Sequence, residues 1–415
     1  MKILLWHGYL LGGTGSNVYT RSLARAWSRL GHEVVVLCQE PHPERYDLGA
    51  ARVVRPRLSG PLPVFVLDHY DDSRPQLLPQ MSRADRDLFV AENAAAVRAE
   101  GPADLLLVNH VLLGGAVGRA SGLPYVVKAH GSELEFSLRG HPGLSRWGRE
   151  CLDAARAVLA GSEHIVQVLE DVVGPVRAPV AVVPPGVDVD ALWPQERTAA
   201  LTALVEQCRH DLPNPEGDER RPDSGNADRL GEFLSTAEGT VVYVGKLSAE
   251  KGVGLLLEAL REVDARAVVV GFGPARVDLE AAAGNRVLFT GALEHRHLAH
   301  LWPLADVSVT PSVFPEAFGM VAAEAASCGS PPLVARHSGL AEIAAALEQG
   351  YPPELRHLAS FRPGDATDLS DKLSQLLELA PEQWQQLSAA ARVTAVQRWS
   401  WDGVADRILA HAGAD

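Results

Sequence analysis

The sequence predicts an α/β protein made of two consecutive parallel-sheet domains. Three observations carry this. Short apolar runs alternate with helical patterns along most of the chain. Glycines and polar residues gather at the carboxyl ends of those runs. The series then starts afresh near residue 240, after a charged, proline-rich stretch. At roughly 150 residues per domain, 415 residues give two or three units.

The first series opens with Ile3, Leu4, Leu5 and Trp6 as a strand. The run breaks at His7-Gly8, too early for the core of a signal peptide. The turn Gly12-Gly13-Thr14-Gly15-Ser16 leads into a helix over residues 17–30. There Val18, Leu23, Ala26, Trp27 and Leu30 recur at helical spacing, and Gly31 stops it. Val34 to Leu37 is a second strand, and two strands joined through a helix run parallel. Further strands end in polar tips: Asn109-His110, His130-Gly131, Gly161-Ser162 and Pro185-Gly186-Val187-Asp188. Open α/β sheets bind ligands at that edge.

Residues 206–232 read as a mobile, charged insertion rich in turn formers. The second series has strands ending at Gly245-Lys246, Gly271-Phe272-Gly273, Thr290-Gly291 and Pro311-Ser312, and a strand preceding Ser338-Gly339. The tail over residues 383–411 is helical in pattern, with Trp399 and Trp401 placed to pack it back onto the first domain. The boundaries expected are 1–190, 191–395 and a final helix at 396–415.

The formal net charge of −14 disfavours a nucleic-acid partner, which selects a basic face. No apolar run has the length of a membrane span. Cys38, Cys151, Cys208 and Cys328 form no C-x-x-C pair, so no zinc or redox signature exists, and a reducing compartment, the cytoplasm, fits best. The expected metal set is empty.

The densest chemical signal is the segment from Pro315 to Gly329. Glu316 falls in a loop and Glu324 inside the alanine-rich helix that follows, about 7 Å along its axis. That is the span of a pyrophosphate, so one carboxylate can hold sugar hydroxyls and the other ribose hydroxyls. The first amides of the helix, at Phe318, Gly319 and Met320, suit an anion or polar oxygens. Spacing alone equally allows two surface carboxylates. Lys246 and Lys251 lie between a strand and a helix, where two cations can neutralise a diphosphate leaving group; solvated lysines are the plain alternative. His130, at a strand end beside Ser132, can meet sugar hydroxyls or be a satisfied buried histidine. His295, His297 and His300 read as helix-surface residues without a role. The turn at Gly13 lacks the third glycine of a dinucleotide fingerprint, and Glu40 after the second strand keeps a nicotinamide reading only weakly alive.

Taken in order, these segments resemble retaining glycosyltransferase family 4. They are Gly12-Gly13 with Ser16-Asn17, His130-Gly131, Gly161-Ser162, Pro185 to Asp188, Val244-Gly245-Lys246 with Lys251-Gly252, Gly271-Phe272-Gly273, and Glu316 to Glu324 with Phe318-Gly319. The resemblance implies the GT-B fold: two facing Rossmann-like domains with parallel sheets and a C-terminal helix returning to the first. It implies a hexosyltransferase-type enzyme using a nucleotide-diphosphate sugar, a UDP- or GDP-sugar first, as co-substrate, with no tightly bound cofactor. Lys246 and Lys251 would bind the pyrophosphate, Glu316 the transferred sugar with the amides of Phe318 and Gly319, and Glu324 the ribose. Gly13 would lie near the phosphates and His130 near the reacting centre. Gly245, Gly271, Phe272, Leu293 and Met320 complete the donor set, with Phe272 and Leu293 beside the base. Asn17, Asn109 and Ser132 are the acceptor-side candidates.

The sequence departs from the family where Lys246 replaces a commoner arginine, losing a bidentate fork for phosphate, and where Pro185 replaces asparagine. The acceptor expected is small and polar: an inositol phosphate, aminocyclitol, thiol metabolite or saccharide. Oligomeric state is not legible. The competing readings are a nucleotide-sugar epimerase on the same architecture, an NAD-dependent oxidoreductase, and a non-catalytic protein that kept the fold.

Overall fold

The apolar runs become the strands of two parallel sheets because each is buried on both faces by the helices that connect it to the next. The structure is a computed structural model and describes residues 1–65, 74–212, 221–236 and 238–413. It divides into two compact units, Met1–Gly186 with Trp401–Asp415, and Val187–Ser400.

In the first unit seven strands form one sheet: β1 (Lys2–Trp6), β2 (Glu33–Leu37), β3 (Arg52–Val54), β6 (Leu105–Asn109), β7 (Tyr125–Lys128), β8 (Ala157–Ala160) and β9 (Val180–Val182). Their order is β3-β2-β1-β6-β7-β8-β9, every pair parallel, and β4 (Leu62–Val64) and β5 (Pro75–Leu77) pair separately. The helices are α1 (Gly15–Arg29), α2 (Arg83–Ala99), α3 (Leu113–Ser121), the single turn α4 (Gly131–Glu133), α5 (Pro142–Asp153) and α6 (Glu163–Val173). The winding reverses between β1 and β6, which opens a crevice at their carboxyl ends.

The second unit repeats the plan with β10 (Thr240–Val244), β11 (Arg266–Val270), β12 (Val287–Phe289), β13 (Val307–Thr310), β14 (Pro332–Ala335) and β15 (Ser360–Phe361), in the order β12-β11-β10-β13-β14-β15. Here the reversal lies between β10 and β13. Its helices are α7 (Arg197–Arg209), α8 (Asn226–Phe233), α9 (Val253–Ala259), α10 (Arg276–Ala282), α11 (His295–Leu301), α12 (Met320–Ser327), α13 (Ser338–Gly350), α14 (Ala366–Leu377) and α15 (Pro381–Trp399). These are two Rossmann-like domains.

The helical tail is two helices, since Ser400 leaves the helical conformation between α15 and α16 (Trp401–Ala412). The adjacent tryptophans therefore enter different cores. Trp401 lies edge-on to Tyr19 at 5.4 Å, over Gly186, where a Cβ would meet the indole at 2.4 Å. Val404, Ile408 and Ala412 continue that face, and the Trp27 indole donates to the Ala405 carbonyl. Trp399, expected on the first domain, instead packs edge-on against Phe318 inside the second unit.

The stretch read as an insertion at 206–232 is also corrected in part. Its ends are helical, in α7 and α8, and residues 221–223 strap onto the turn after β12: Asp223 N–H donates to Thr290 O and Ala292 N–H to Arg221 O. Arg276 clamps Asp223 from α10 at 2.6 Å. Residues 213–220 of that stretch lie outside the described residues.

Candidate functional site

Three strand-end loops of the second unit meet at its reversal point, and glycines are what let them meet. Gly271, at φ 141°, would place a Cβ 1.8 Å from Gly245 O; Gly273, at φ 151°, would place one 2.4 Å from Leu247 O. Gly252, at φ 71°, abuts Pro311 O in the same way. The loops after β10, β11 and β13 thus converge backbone to backbone. Lys246 is exposed on the first of them, its carbonyl held by the Tyr243 hydroxyl at 2.9 Å.

Lys251 Nζ and the Ser312 hydroxyl both donate to Oε1 of Glu316, at 2.5 and 2.9 Å. Oε2 takes no hydrogen bond from the described residues. Glu324, nearly buried on α12, faces His295, whose Nε2 lies 3.3 Å from its Oε1. Gly319, at φ 119°, starts α12 against Leu340 of α13, and Met320 and Gly319 are half-buried while Phe318 is a core residue. So Lys251 and Glu316 are brought into contact, and Glu324 stands on α12, the helix that begins four residues after Glu316. Phe272 and Leu293 are both half-buried, on the loops after β11 and β12.

In the first unit a cluster of histidines fills the reversal point. His7 follows β1, His110 follows β6 and His130 follows β7. The His110 ring lies 5.8 Å from His7 and 4.8 Å from His130, with Tyr9 and Phe65 against it. Asn17 and Asn109, two of the acceptor-side candidates, are buried. Asn17 donates to the Gly12 carbonyl and accepts from His7 Nε2 at 2.7 Å. Asn109 donates to Thr20 Oγ1 and accepts from His130 Nε2 at 2.7 Å. In the neutral His130 ring this leaves Nδ1 as the acceptor. Ser132 is exposed on α4, and Gly13, at φ 92°, has open space where a side chain would go.

Burial, with cationic neighbours adding to it, keeps His7 and His130 neutral. Desolvation, helped by His110, pushes His7 down to about 3, and His130 is held well below the usual histidine range mainly by desolvation. Lys128, on β7, is pushed down to about 7 by burial; its Nζ donates to Val183 O at 2.6 Å and lies over the Tyr19 ring. Glu133 is fully buried and accepts the amides of Val111 and Leu112 at 2.7 and 2.6 Å, which seats the start of α3. His110 has the left-handed backbone, φ 75°, uncommon for a residue with a side chain.

His7, His110, Lys128 and Glu133 were not singled out from the sequence, nor were Ser312, His337 and Ser338 beside Glu316. The available signal was the polar tip at each strand end, which includes His7-Gly8, Asn109-His110 and Ser338-Gly339. Glu40 spends its two oxygens on the amides of Leu11 and His42, so it is a loop brace and not a ribose ligand. His297 is corrected as well: it is fully buried, not on a helix surface. Its Nδ1 accepts the Glu294 amide and its Nε2 donates to Asp211. Cys208, Asp211 and His297 are close enough together for a metal. In the neutral ring, however, Nε2 carries the proton, and Arg296 already occupies the same carboxylate.

Comparisons with known proteins fit this arrangement. The second unit matches a family model described as glycosyl transferases group 1 over residues 229–394. With two parallel-sheet domains, this defines a glycosyltransferase of the GT-B fold. A second model, described as Glycosyltransferase Family 4, matches residues 13–191, so the two models together span most of the chain and the protein is a glycosyltransferase. D-inositol 3-phosphate glycosyltransferase of Mycobacterium tuberculosis is 27% identical over 95% of this chain and 78% of its own. Among solved structures, Anabaena Alr3699/HepE in complex with UDP-glucose shares the fold with a TM-score of 0.69 and 17% identity, covering all of both chains. Sucrose-phosphate synthase of Thermosynechococcus elongatus does so with 0.62 and 20%, over 98% of this chain and 97% of its own.

Proposed function

We propose that this glycosyltransferase moves a hexose, with retention at the anomeric carbon, from a UDP- or GDP-sugar to a small polar acceptor in the cytoplasm. An inositol phosphate leads the acceptors, because the mycobacterial relative is named for one. The observation that carries the reading is the Lys251–Glu316–Ser312 contact beside Lys246 at the reversal point of the second sheet.

The chemistry follows from charge. Breaking the glycosyl–phosphate bond leaves negative charge on the diphosphate, and a fixed cation there lowers the barrier. Lys246 and Lys251 supply that charge, so no metal ion is called for. Glu316 binds hydroxyls of the sugar through its open oxygen, and Glu324 with His295 binds the ribose. The loops carrying Phe272 and Leu293 flank the base. His130, neutral and with its acceptor nitrogen fixed by Asn109, offers the sugar a hydrogen-bonding edge without competing for protons. The leaving phosphate itself takes the acceptor's proton on the same face of the sugar. This accounts for retention without a separate nucleophile and base. A nicotinamide enzyme gives Glu316 and Lys251 no such task.

A thermal-shift panel of UDP, GDP, ADP, their glucose conjugates and NAD(H), on wild type and Glu324→Ala, tests this. A ligand at a hundred times its Kd adds about 2.7 kcal/mol. One diphosphate should raise Tm, and Glu324→Ala should lose most of that rise. A shift with NAD(H) alone sinks the proposal.

A further inference from the structure

The Glu316 carboxylate is only as useful as its position, and the loop carrying it has no regular structure of its own. What holds it is the start of α13. Ser338 Oγ accepts the Glu316 backbone N–H at 2.8 Å. Its proton goes to Nδ1 of His337 at 3.0 Å, and His337 Nε2–H donates to the Ser312 carbonyl at 2.6 Å. A carbonyl can only accept, which sets the direction of the whole chain in the neutral ring. Ser312 in turn donates through its hydroxyl to the Glu316 carboxylate. The bonds therefore close a loop around the segment 312–316, from backbone amide to carboxylate.

Two further features press the same parts together. Gly339 N–H donates to the Glu316 carbonyl at 2.9 Å, and a Cβ at Gly339 would sit 2.6 Å from Phe318 Cα. Ser338 holds φ 47°, a left-handed conformation that side chains rarely adopt. Glycine would fit that backbone better, so what serine adds at this position is its hydroxyl.

We propose that His337 and Ser338 are positioning residues that fix Glu316 for the transferred sugar. The inference rests on the reading of Glu316 as a sugar ligand. It predicts a specific defect: recognition of the sugar falls while recognition of the nucleoside diphosphate does not.

Ser338→Gly suits the test because it removes the hydroxyl and relieves the backbone, so folding is preserved. Binding of UDP-glucose and of UDP would be measured by calorimetry on wild type, Ser338→Gly, His337→Gln, Glu316→Gln and the Ser338→Gly/Glu316→Gln double variant. Expected is unchanged UDP affinity and Tm, with UDP-glucose affinity lowered roughly fivefold in Ser338→Gly and His337→Gln, the cost of one hydrogen bond. In the Glu316→Gln background the Ser338 change should add nothing further. If Glu316→Gln alters the UDP-glucose to UDP ratio and Ser338→Gly does not, the positioning role is wrong and the sugar ligand stands. If neither alters it, Glu316 is not the sugar ligand and the inference fails with it.

Discussion

Lys128 holds an amine where water does not reach, with one carbonyl and one aromatic face for company. Its folded pKa lies at about 7, against 10.5 in the unfolded chain. Between those values the unfolded state binds one proton more than the native state, so stability rises with pH across that window. Below pH 7 the native state bears the full cost of the buried charge, on the order of a few kcal/mol. Lys128→Met should flatten the rise; urea titrations of the first unit at pH 6.5, 8 and 9.5 read it directly, and an unchanged slope refutes it. The histidines act in the same direction, but in a window at lower pH. His7 and His130 stay neutral when folded but protonate when unfolded, so their contribution is intact above pH 6.5 and falls away as pH drops below it, toward about 3 in the case of His7. His7→Gln should therefore make the first unit less sensitive to acid between pH 6 and 4, followed by circular dichroism. Composition could not reveal either effect. The order of residues placed His130 at a strand end and Glu316 in a loop before a helix, but not what surrounds Lys128 or reaches back from α13 to Glu316. Those partners come from elements far apart in the chain.

At the scale of elements the sequence was most legible, because a fully buried parallel strand is a continuous apolar run and its end is marked by glycine. The runs at residues 3–6, 240–244 and 267–270 each became a strand. Less legible were features whose cause is a neighbour. The stretch around residue 222 looks like free loop, yet it is strapped to Gly291 by paired backbone bonds and the Arg276–Asp223 clamp. The break at Ser400 has no proline or glycine to announce it; it follows from Trp399 and Trp401 facing separate cores. The converging loops make a direct prediction. Gly271→Ala puts a methyl into the Gly245 carbonyl at a φ of 141°, so the loops must part. A loss above about 2 kcal/mol is expected, with donor binding impaired beyond the stability change. Gly284→Ala, where a Cβ meets open space, is the control and should behave as wild type in the same thermal melts.

For the whole molecule, two domains were readable from the restart of the strand series, but the order of strands in each sheet was not, since it depends on which way each crossover turns. That order is what places chemistry. Both sheets reverse beside their first strand, so His7 and Gly245, the residue before Lys246, occupy corresponding positions after β1 and β10. The partition also separates tasks. Val187–Ser400 is continuous, has its own core and carries Lys246, Lys251, Glu316 and Glu324. The first unit is discontinuous and needs α16 to cover Tyr19 and Trp27. A fragment of residues 187–400 should then fold alone and bind the donor diphosphate with an affinity within about tenfold of the full chain, without transferring sugar. A chain ending at residue 400 should keep the melting transition of the second unit while the first unfolds early, because it loses the buried faces of Trp401, Val404 and Ile408; removing even one large buried side chain costs about 3–5 kcal/mol. Calorimetric scans with and without UDP separate the two transitions, since ligand raises only the one that binds it. A single transition that moves as a whole with UDP would mean that the two cores unfold as one, and that donor binding cannot be assigned to residues 187–400 alone.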